Sequence, residues 1–587
     1  MKKKKLPIGI SDFKEIIEGN FYYVDKSLFI QEILDNGSKV ILLTRPRRFG
    51  KTLNLMMLKY WYEAYQGKML NAEIGILNEE KETIAKRRSL INNSELFHSL
   101  KIWTLGEEYT SHCGKYPVIF LTFKDVKEEN WKNCYEKLQG IIISEFQRHK
   151  YLLESKQLDE IDKDYFQRIL KNTERESDYK EALKNLSKFL HLHYGQKVVI
   201  LIDEYDTPVH EAFHFGYYEK VINFLRTFLG AGLKDNVNLE KGVITGILRV
   251  ARENLFSDLN NLSIYTVLSE KYSDKFGMLE SEVKQILKDY SLEENLSGVK
   301  DWYDGYTIGA VTDVYNPWSI LNYVDNHEEG LKPYWVNTSG NKMIKDLLAK
   351  GDNSLKIDLE SLIQNKTIEK RIQSHTIFTD LERSSDSVWT LFLFSGYLKV
   401  IGSRVDEEDM YWCTLAIPNR EVIGVYKQFI LQWLSDYLSN QEVELFIKSL
   451  TSGDVTTFEE ILQKYVLSSM SYFDVSGTQP EKVYHAFVLG LLVNMRGSYS
   501  IKSNAESGYG RYDISLIPSD KSQKGIIIEF KSVNVKRSET LDDAVKSALA
   551  QIEEKQYESE LRSLGVTDIL KLGIAFEGKK IQVGANG

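Results

Sequence analysis

Three chemically reactive side chains are spaced across two predicted β-strands near the end of the chain. Asp513 lies in the sequence Arg-Tyr-Asp-Ile, and Glu529 and Lys531 close the run Gly-Ile-Ile-Ile-Glu-Phe-Lys that begins at Gly525. Successive side chains of a β-strand point to opposite faces. Glu529 and Lys531 are therefore expected on one face, with Phe530 and the isoleucines buried on the other. The pattern predicts that two carboxylates and an ammonium group converge.

This combination of residue types suits the hydrolysis of a phosphodiester. Asp513 and Glu529 would ligate a hard divalent cation such as Mg²⁺ through oxygen. Lys531 would orient or deprotonate the attacking water beside a scissile phosphate. The alternative interpretation is a solvated surface pair, which is common on exposed strands. The apolar run before Glu529 favours a functional site, because a charged face on a central strand is costly without a role.

A helix is predicted from about residue 544 to 557, after the start Leu-Asp-Asp at 541–543, and it carries Gln551. Four segments in this order, 484–492, 506–513, 529–531 and Gln551, resemble the PD-(D/E)XK nuclease domain at the carboxyl terminus of bacterial AAA-ATPase-like proteins. The resemblance implies that Asp513, Glu529 and Lys531 are the catalytic positions. It also implies that Gln551 is the helix residue that completes the site.

A second motif lies near the amino terminus, where the apolar run 40–43 leads into Thr-Arg-Pro-Arg-Arg-Phe-Gly-Lys-Thr at 44–52. A strand, a loop ending in Gly-Lys-Thr and a helix are the parts of a P-loop. Backbone N–H groups, including those around Gly50, would cradle phosphates at the helix amino terminus. Lys51 would reach the β- and γ-phosphate oxygens, and the Thr52 hydroxyl would bind Mg²⁺.

Three arginines modify this loop. Arg47 and Arg48 add positive charge, most of which phosphate binding accounts for. Arg45 stands where the motif has its first glycine, and a Cβ there resists the positive φ and close approach that glycine permits. A changed loop geometry or nucleotide affinity is therefore expected.

A second apolar strand, 198–202, ends in two acids, Asp203 and Glu204. Asp203 would hold the Mg²⁺ shell, and Glu204 would polarise water, as in a Walker B motif. The alternative is a buried parallel strand whose acids only emerge at its carboxyl end. The presence of both motifs in order favours nucleotide binding over a structural loop that binds no phosphate, and ATP is the expected nucleotide.

Further segments of the first half resemble the AAA-ATPase-like family. These are residues 6–13, 22–27, 44–52, 202–208 and 245–249. Arg45 in place of glycine is the usual form in that family. The resemblance implies that Thr245 is the sensor of the γ-phosphate and that Arg249 or Arg252 stabilises developing charge. For either arginine, a structural ion pair is an equal alternative.

Composition is that of an ordinary globular protein: 587 residues, 42% hydrophobic and 27% charged. The net charge of −9 provides no global basic field, so any contact with nucleic acid must come from local patches. The three cysteines are scattered, which argues against disulfides and zinc. No apolar run is long enough to cross a bilayer, and a cytoplasmic protein without membrane contact is expected.

These observations predict an α/β chain in three parts: a P-loop ATPase with a parallel sheet over 1–285, a helical and winged-helix-like middle over 286–470, and a restriction-endonuclease-like α/β domain over 471–587. The winged-helix expectation rests on a helix and β-hairpin predicted across 391–419. The predicted function is an ATP- and Mg²⁺-dependent nuclease, with DNA as the favoured partner and defence against foreign DNA or a mobile element as its setting. The alternative is a nucleotide-dependent switch whose nuclease fold only binds nucleic acid or protein. Assembly into a homo-oligomer stays open.

Overall fold

The computed structural model describes residues 3–64, 93–248, 255–256, 259–335, 353–363, 365–373, 385–408, 410–426, 439–469, 488, 492, 495, 498–533 and 539–586. The chain divides into two compact units. The amino-terminal unit comprises residues 1–338, 370–413 and 418–421. The carboxy-terminal unit comprises residues 339–369, 414–417 and 422–587.

A five-stranded parallel sheet forms the centre of the amino-terminal unit, in the order β2-β3-β4-β1-β5. Its strands are β1 Val40–Thr44, β2 Val118–Thr122, β3 Val198–Asp203, β4 Leu239–Gly246 and β5 Leu262–Tyr265. Every residue of β1 and β3 is buried. Because the strands are parallel, the ends of β1, β3 and β4 lie at one edge, where α/β sheets bind ligands.

Helices follow the strands of this sheet and continue beyond it. They are α1 Phe13–Glu18, α2 Leu28–Asp35, α3 Lys51–Tyr62, α4 Glu107–Thr110, α5 Trp131–Arg148, α6 Glu160–Leu170, α7 Glu176–Tyr194, α8 Thr207–His214, α9 Tyr218–Leu233, α10 Glu280–Asp289, α11 Leu296–Tyr303 and α12 Pro317–Asp325. Short 3-10 helices cover Asn93–Phe97, Lys101–Leu105, Lys150–Glu154, Glu293–Asn295 and His327–Glu329.

Two small sheets accompany the later helices. Strands β6 Met278–Leu279, β7 Tyr306–Ile308 and β8 Val311–Tyr315 form an antiparallel sheet in the order β6-β8-β7. Strands β9 Ile368–Arg371, β10 Lys399–Val405 and β11 Tyr411–Ala416 form a sheet in the order β10-β11-β9. Helix α13 spans Asn353–Ile363, and α14 spans Ser385–Ser395. A helix and two strands thus occupy the segment 385–416, and the winged-helix assignment stays a prediction.

The carboxy-terminal unit contains a second five-stranded sheet, in the order β12-β13-β14-β15-β16. Its strands are β12 Tyr499–Ser507, β13 Gly510–Pro518, β14 Gly525–Ser532, β15 Ile569–Glu577 and β16 Lys580–Asn586. Its helices are α15 Asn440–Ser452, α16 Val455–Ser469, α17 Leu541–Glu554 and α18 Ser559–Ser563. Only β14 and β15 pair in parallel, so α17 is the crossover between them.

The two faces of β14 are buried by different helices. Ile526, Ile528 and Phe530 join an apolar cluster with residues of α15 and α16. Ile527 lies on the other face, in a cluster with Ile552 of α17. The expectation that all three isoleucines share the face of Phe530 was therefore wrong for Ile527, because the strand is covered on both sides and needs an apolar residue on each.

The predicted α/β class with a parallel amino-terminal sheet is confirmed. β5 was not predicted, since its four residues, Leu-Ser-Ile-Tyr, are only partly buried and give a weak strand pattern. α17 begins at Leu541, capped by Thr540, and ends at Glu554, three residues before the predicted end. Within the described ranges, no helix is long and apolar enough to cross a membrane.

Candidate functional site

The loop between β1 and α3 wraps around a buried lysine. Gly50 caps the helix in the left-handed conformation, with φ 82°, a geometry that favours glycine. Lys51, the first helical residue, is 5% exposed, and its Nζ donates to the carbonyl oxygens of Arg45 at 3.0 Å and Pro46 at 2.8 Å. Burial lowers the pKa of this ammonium group. The loop therefore encloses one desolvated positive charge.

Asp203, at the end of β3, joins the loop helix to the neighbouring strand. Thr52 Oγ1 donates to its Oδ2 at 2.8 Å, and Thr245 Oγ1 donates to its Oδ1 at 2.8 Å. The side chain is fully buried, and burial followed by the charge of Glu204 raises its pKa. Three elements thus contribute oxygen atoms to one point at the edge of the sheet.

Glu204 and the two loop arginines lie around this point. Glu204 has a left-handed backbone, φ 49°, and accepts a hydrogen bond from Thr207 Oγ1 at 3.3 Å. Arg48 is also left-handed, φ 67°, and its guanidinium lies 4.0 Å from the centre of the Trp318 ring. The carbonyl of Arg47 accepts from Asn316 Nδ2 at 3.3 Å. Left-handed non-glycine residues are uncommon and are concentrated at functional sites.

The carboxy-terminal unit brings its reactive side chains together between β13, β14 and α17. The backbone N–H of Phe530 donates to Asp513 Oδ2 at 2.7 Å. Lys531 Nζ lies 3.4 Å from Glu529 Oε1. Gln551 of α17 donates its Nε2–H to the same Glu529 oxygen. Strand periodicity predicted that Glu529 and Lys531 lie on one face of β14, and the structure confirms this placement.

Glu529 carries the unusual electrostatics of this site. Its side chain is 3% exposed, and its Oε2 makes no hydrogen bond to the described part of the chain. Burial, followed by the charge of Asp513, raises the pKa of Glu529 to about 8. A buried carboxylate oxygen without a donor is costly. A bound cation would satisfy that oxygen and favour the ionised form.

The regions of the chain that contain these two sites match known protein families. Residues 7–91 and 84–256 match the family described as a predicted AAA-ATPase, and residues 479–586 match the PD-(D/E)XK nuclease superfamily. These matches identify an AAA-ATPase-like region and a PD-(D/E)XK nuclease superfamily domain. An uncharacterized protein in the vnfD 5' region of Azotobacter chroococcum mcd 1 is 24% identical over 585 residues, which cover 98% of this chain and 97% of that protein.

Oxygen ligands available in the nuclease superfamily domain fit a hard divalent cation. Asp513 and Glu529 are adjacent carboxylates, and one Glu529 oxygen is free to ligate. Within the described ranges, no group of three or more histidine, cysteine or acidic side chains is placed to hold a metal ion. Mg²⁺ is commonly held by one or two carboxylates with water and substrate phosphate completing its shell. The pair suffices for such a cation.

Oxygen atoms in the AAA-ATPase-like region also fit a magnesium nucleotide. Thr52 and Asp203 would hold Mg²⁺, while Lys51 and the N–H groups around Gly50 would hold phosphates. Thr245 touches Asp203 rather than standing apart from it. Arg249 and Arg252 lie outside the described residues, as do most of residues 484–492.

Arg45 has a role in this region that its sequence position did not reveal. Its side chain is fully buried, and its guanidinium donates to the carbonyls of Thr44 at 2.8 Å and of Tyr265 and Tyr272 at 3.1 Å. The guanidinium also lies 5.0 Å from the centre of the Phe276 ring. Arg45 therefore ties the loop between β1 and α3 to the end of β5. The arginine in place of the motif's first glycine was the only signal in the sequence.

Asp206 and Tyr557 are two further residues that sequence reasoning missed. Asp206 Oδ2 accepts the N–H groups of Ile247 and Leu248, both at 2.8 Å, and so holds the chain that follows β4. Tyr557 is buried in the nuclease domain, and its hydroxyl accepts from Gln551 Nε2 at 3.0 Å. Tyr557 acts through Gln551 of the nuclease domain, and only the last acid of Asp-Glu-Tyr-Asp at 203–206 signalled Asp206.

Proposed function

We propose that this chain is a nucleotide-dependent nuclease. It hydrolyses phosphodiester bonds of nucleic acid, with DNA as the favoured substrate, at the carboxylate pair of its PD-(D/E)XK domain. ATP bound with Mg²⁺ at the P-loop gates or positions that activity. The observation that carries the proposal is the buried Glu529, whose Oε2 is unsatisfied while Asp513 and Lys531 lie beside it.

The residues of the nuclease site divide the work of hydrolysis. A bound Mg²⁺ supplies Lewis-acid activation of the phosphate and lowers the pKa of its water. Asp513 and Glu529, in their ionised forms, would hold the cation through oxygen. Lys531 steadies the negative charge that develops on the phosphate. Gln551 holds Glu529 Oε1, which leaves Oε2 as the ligating oxygen.

In the proposed nucleotide site, residues at the carboxyl ends of the strands have separate roles. Lys51 exchanges its carbonyl partners for β- and γ-phosphate oxygens when ATP binds. Thr52 and Asp203 hold Mg²⁺, and Glu204 polarises the attacking water. Gly50, Arg47 and Arg48 line the phosphate loop. Thr245 is proposed to report the γ-phosphate through Asp203, and Arg249 is proposed to stabilise the charge that develops on it.

We propose a cellular setting only from the fact that an ATPase and a nuclease are joined in one chain. An ATPase joined to a nuclease suits defence against foreign DNA or a mobile element in the cytoplasm. We also propose that the chain has three parts, with boundaries near residues 285 and 470, and that it assembles into a homo-oligomer.

The proposal is tested by incubating the purified chain with supercoiled plasmid, single-stranded DNA and RNA, each with and without Mg²⁺ and ATP. Cleavage that needs Mg²⁺ and changes rate with ATP is expected, and it should be lost in Glu529→Gln. Inactivity on every substrate under every condition would contradict the nuclease and favour a nucleotide-dependent binding module. Cleavage that ignores ATP would contradict only the coupling.

A further inference from the structure

The turn between β12 and β13 presents an exposed aromatic side chain. Tyr509 is 74% exposed, whereas most large apolar side chains of this domain lie in its clusters. It stands four residues before Asp513, so their Cα atoms are at most about 14 Å apart. An aromatic ring that is held in solvent this close to a reactive site is a candidate contact for substrate.

Backbone contacts fix this turn to the helix that carries Gln551. The N–H of Tyr509 donates to the carbonyl of Lys555 at 2.8 Å, and the N–H of Lys555 donates to the carbonyl of Gln551 at 3.0 Å. Gln551 in turn donates to Glu529. A continuous chain of hydrogen bonds therefore links the Tyr509 backbone to the carboxylate site.

Gly508 makes the close approach of turn and helix end feasible. Its φ is 58°, and a Cβ at this position would lie 2.1 Å from the carbonyl oxygen of Lys555. Any larger residue would push the turn away from α17. The position of Tyr509 relative to the site is thus set by the fold rather than by a mobile loop tip.

Two cationic residues lie at this turn. Lys555 is exposed, and its Cγ would lie 3.4 Å from a Cβ added at Gly510. Arg511, also exposed, follows the turn toward Asp513. In a chain of net charge −9, such local cations are what can attract a phosphate backbone. An exposed aromatic ring beside cations is the arrangement that binds unpaired bases by stacking while holding phosphates.

We infer that Tyr509 is a stacking platform for an unpaired base of the substrate strand, so that the nuclease acts on single-stranded or locally opened nucleic acid. This inference rests on the proposed nuclease function and adds the substrate class. In paired duplex the base faces are already stacked on one another, so Tyr509 has a base to stack on only where the strand is unpaired.

The test compares binding of a fluorescent single-stranded 20-mer and the matching duplex by the full chain, measured by anisotropy in Ca²⁺. Intact oligonucleotide is checked by gel after each titration. Tyr509→Ala should weaken single-strand binding about 5- to 150-fold, the equivalent of ~1–3 kcal/mol for one stacked base. Tyr509→Trp should restore it. Duplex binding should change less than about twofold, and Leu564→Ala, which removes another exposed apolar side chain of the same unit, should leave both unchanged.

Each outcome decides the inference. Single-strand affinity of Tyr509→Ala within twofold of wild type would overturn it while leaving the nuclease intact, provided that the wild type binds and cleaves. Equal losses for single strand and duplex would overturn the substrate class. A change of mass by light scattering with unchanged nucleic-acid affinity would show a contact between copies of the chain and would also overturn it. Absence of binding and cleavage by the wild type would instead contradict the proposed function.

Discussion

The backbone N–H of Phe530 donates to Oδ2 of Asp513 at 2.7 Å, just beyond Ile514 and Ile528, where the backbone pairing of β13 and β14 ends. The carboxylate replaces a backbone acceptor and so holds the two strands together while staying beside Glu529. One oxygen of Asp513 therefore has a structural role, and the carboxylate pair is fixed by the sheet rather than by flexible loops.

The stability of the nuclease domain should fall as pH rises from about 4.5 to 8. Glu529 keeps its proton across this window in the folded state, because burial raises its pKa to about 8, whereas the unfolded chain loses it near 4.5. The folded state then binds more protons, so the free energy of unfolding decreases with pH. Glu529→Gln should remove this slope and be more stable than wild type at pH 8 by about 1–3 kcal/mol. The stability at each pH is measured by hydrogen exchange of peptides from β13 and β14 in the absence of metal.

Mg²⁺ should restore part of the stability that the nuclease domain loses as pH rises, because ionised Glu529 is the form that binds a cation. Protection of β14 by Mg²⁺ should be larger at pH 8 than at pH 6 in the wild type and small in Glu529→Gln. Glu577→Gln, an exposed acid at the end of β15, is the matched control and should behave as wild type. An identical pH dependence in wild type and Glu529→Gln would mean that Glu529 is ionised without metal.

Lys51→Ala should weaken ATP binding at least tenfold. The ammonium group is the charge that the loop between β1 and α3 encloses, and a hydrogen bond to a charged group contributes about 1.5–3 kcal/mol. Isothermal titration calorimetry with ATP and Mg²⁺ measures the change. Lys39→Ala, just before β1, is the control and should bind ATP as the wild type does. Unchanged affinity in Lys51→Ala would remove the P-loop assignment.

Glu204→Gln should separate binding from turnover. Its carboxylate accepts a hydrogen bond from Thr207, whereas the Asp203 carboxylate accepts hydrogen bonds from Thr52 and Thr245. ATP affinity should stay within about threefold of wild type, while phosphate release slows at least a hundredfold, as expected for loss of a general base. Asp203→Asn should weaken binding as well. Full turnover by Glu204→Gln would assign water activation to another group.

Tyr557→Phe should slow cleavage about tenfold by freeing Gln551, which loses an acceptor 3.0 Å away. Tyr557 is a positioning residue that acts on Glu529 through Gln551. The Mg²⁺ concentration that gives half-maximal cleavage rate should therefore be higher in Tyr557→Phe than in wild type. Tyr512→Phe removes another buried tyrosine hydroxyl, one bonded to Glu560, and serves as the control. A uniform loss of rate and stability in both variants would indicate packing alone.

Local patterns predicted the elements that carry the sites but not the contacts that fix them. Strand alternation placed Glu529 and Lys531 together, and the apolar runs before Lys51 and Asp203 located β1 and β3. The role of Arg45 could not be predicted, because its acceptors at Tyr265 and Tyr272 are more than 200 residues away in sequence.

Tyr557 and Ile527 show the same limit in the nuclease domain. Tyr557 reaches Gln551 only because α17 ends at Glu554 and the chain turns back, with Gln556 left-handed at φ 51°. Ile527 faces Ile552 because both sides of the sheet are covered. Helix ends and the number of layers depend on tertiary packing, which periodicity does not contain.

Metal-dependent cleavage at Asp513 and Glu529 is tested by the cleavage rates of wild type, Asp513→Ala, Glu529→Gln and Lys531→Ala in Mg²⁺, Mn²⁺ and Ca²⁺. Each variant is first shown to be folded by circular dichroism, with Asp520→Asn as the exposed-acid control. Wild type and Asp520→Asn should cleave in Mg²⁺ or Mn²⁺ but not in Ca²⁺. The three site variants should lose at least a thousandfold in rate, and of these only Lys531→Ala should retain metal binding. Equal cleavage by wild type and folded Asp513→Ala would show that this carboxylate is not part of the active site.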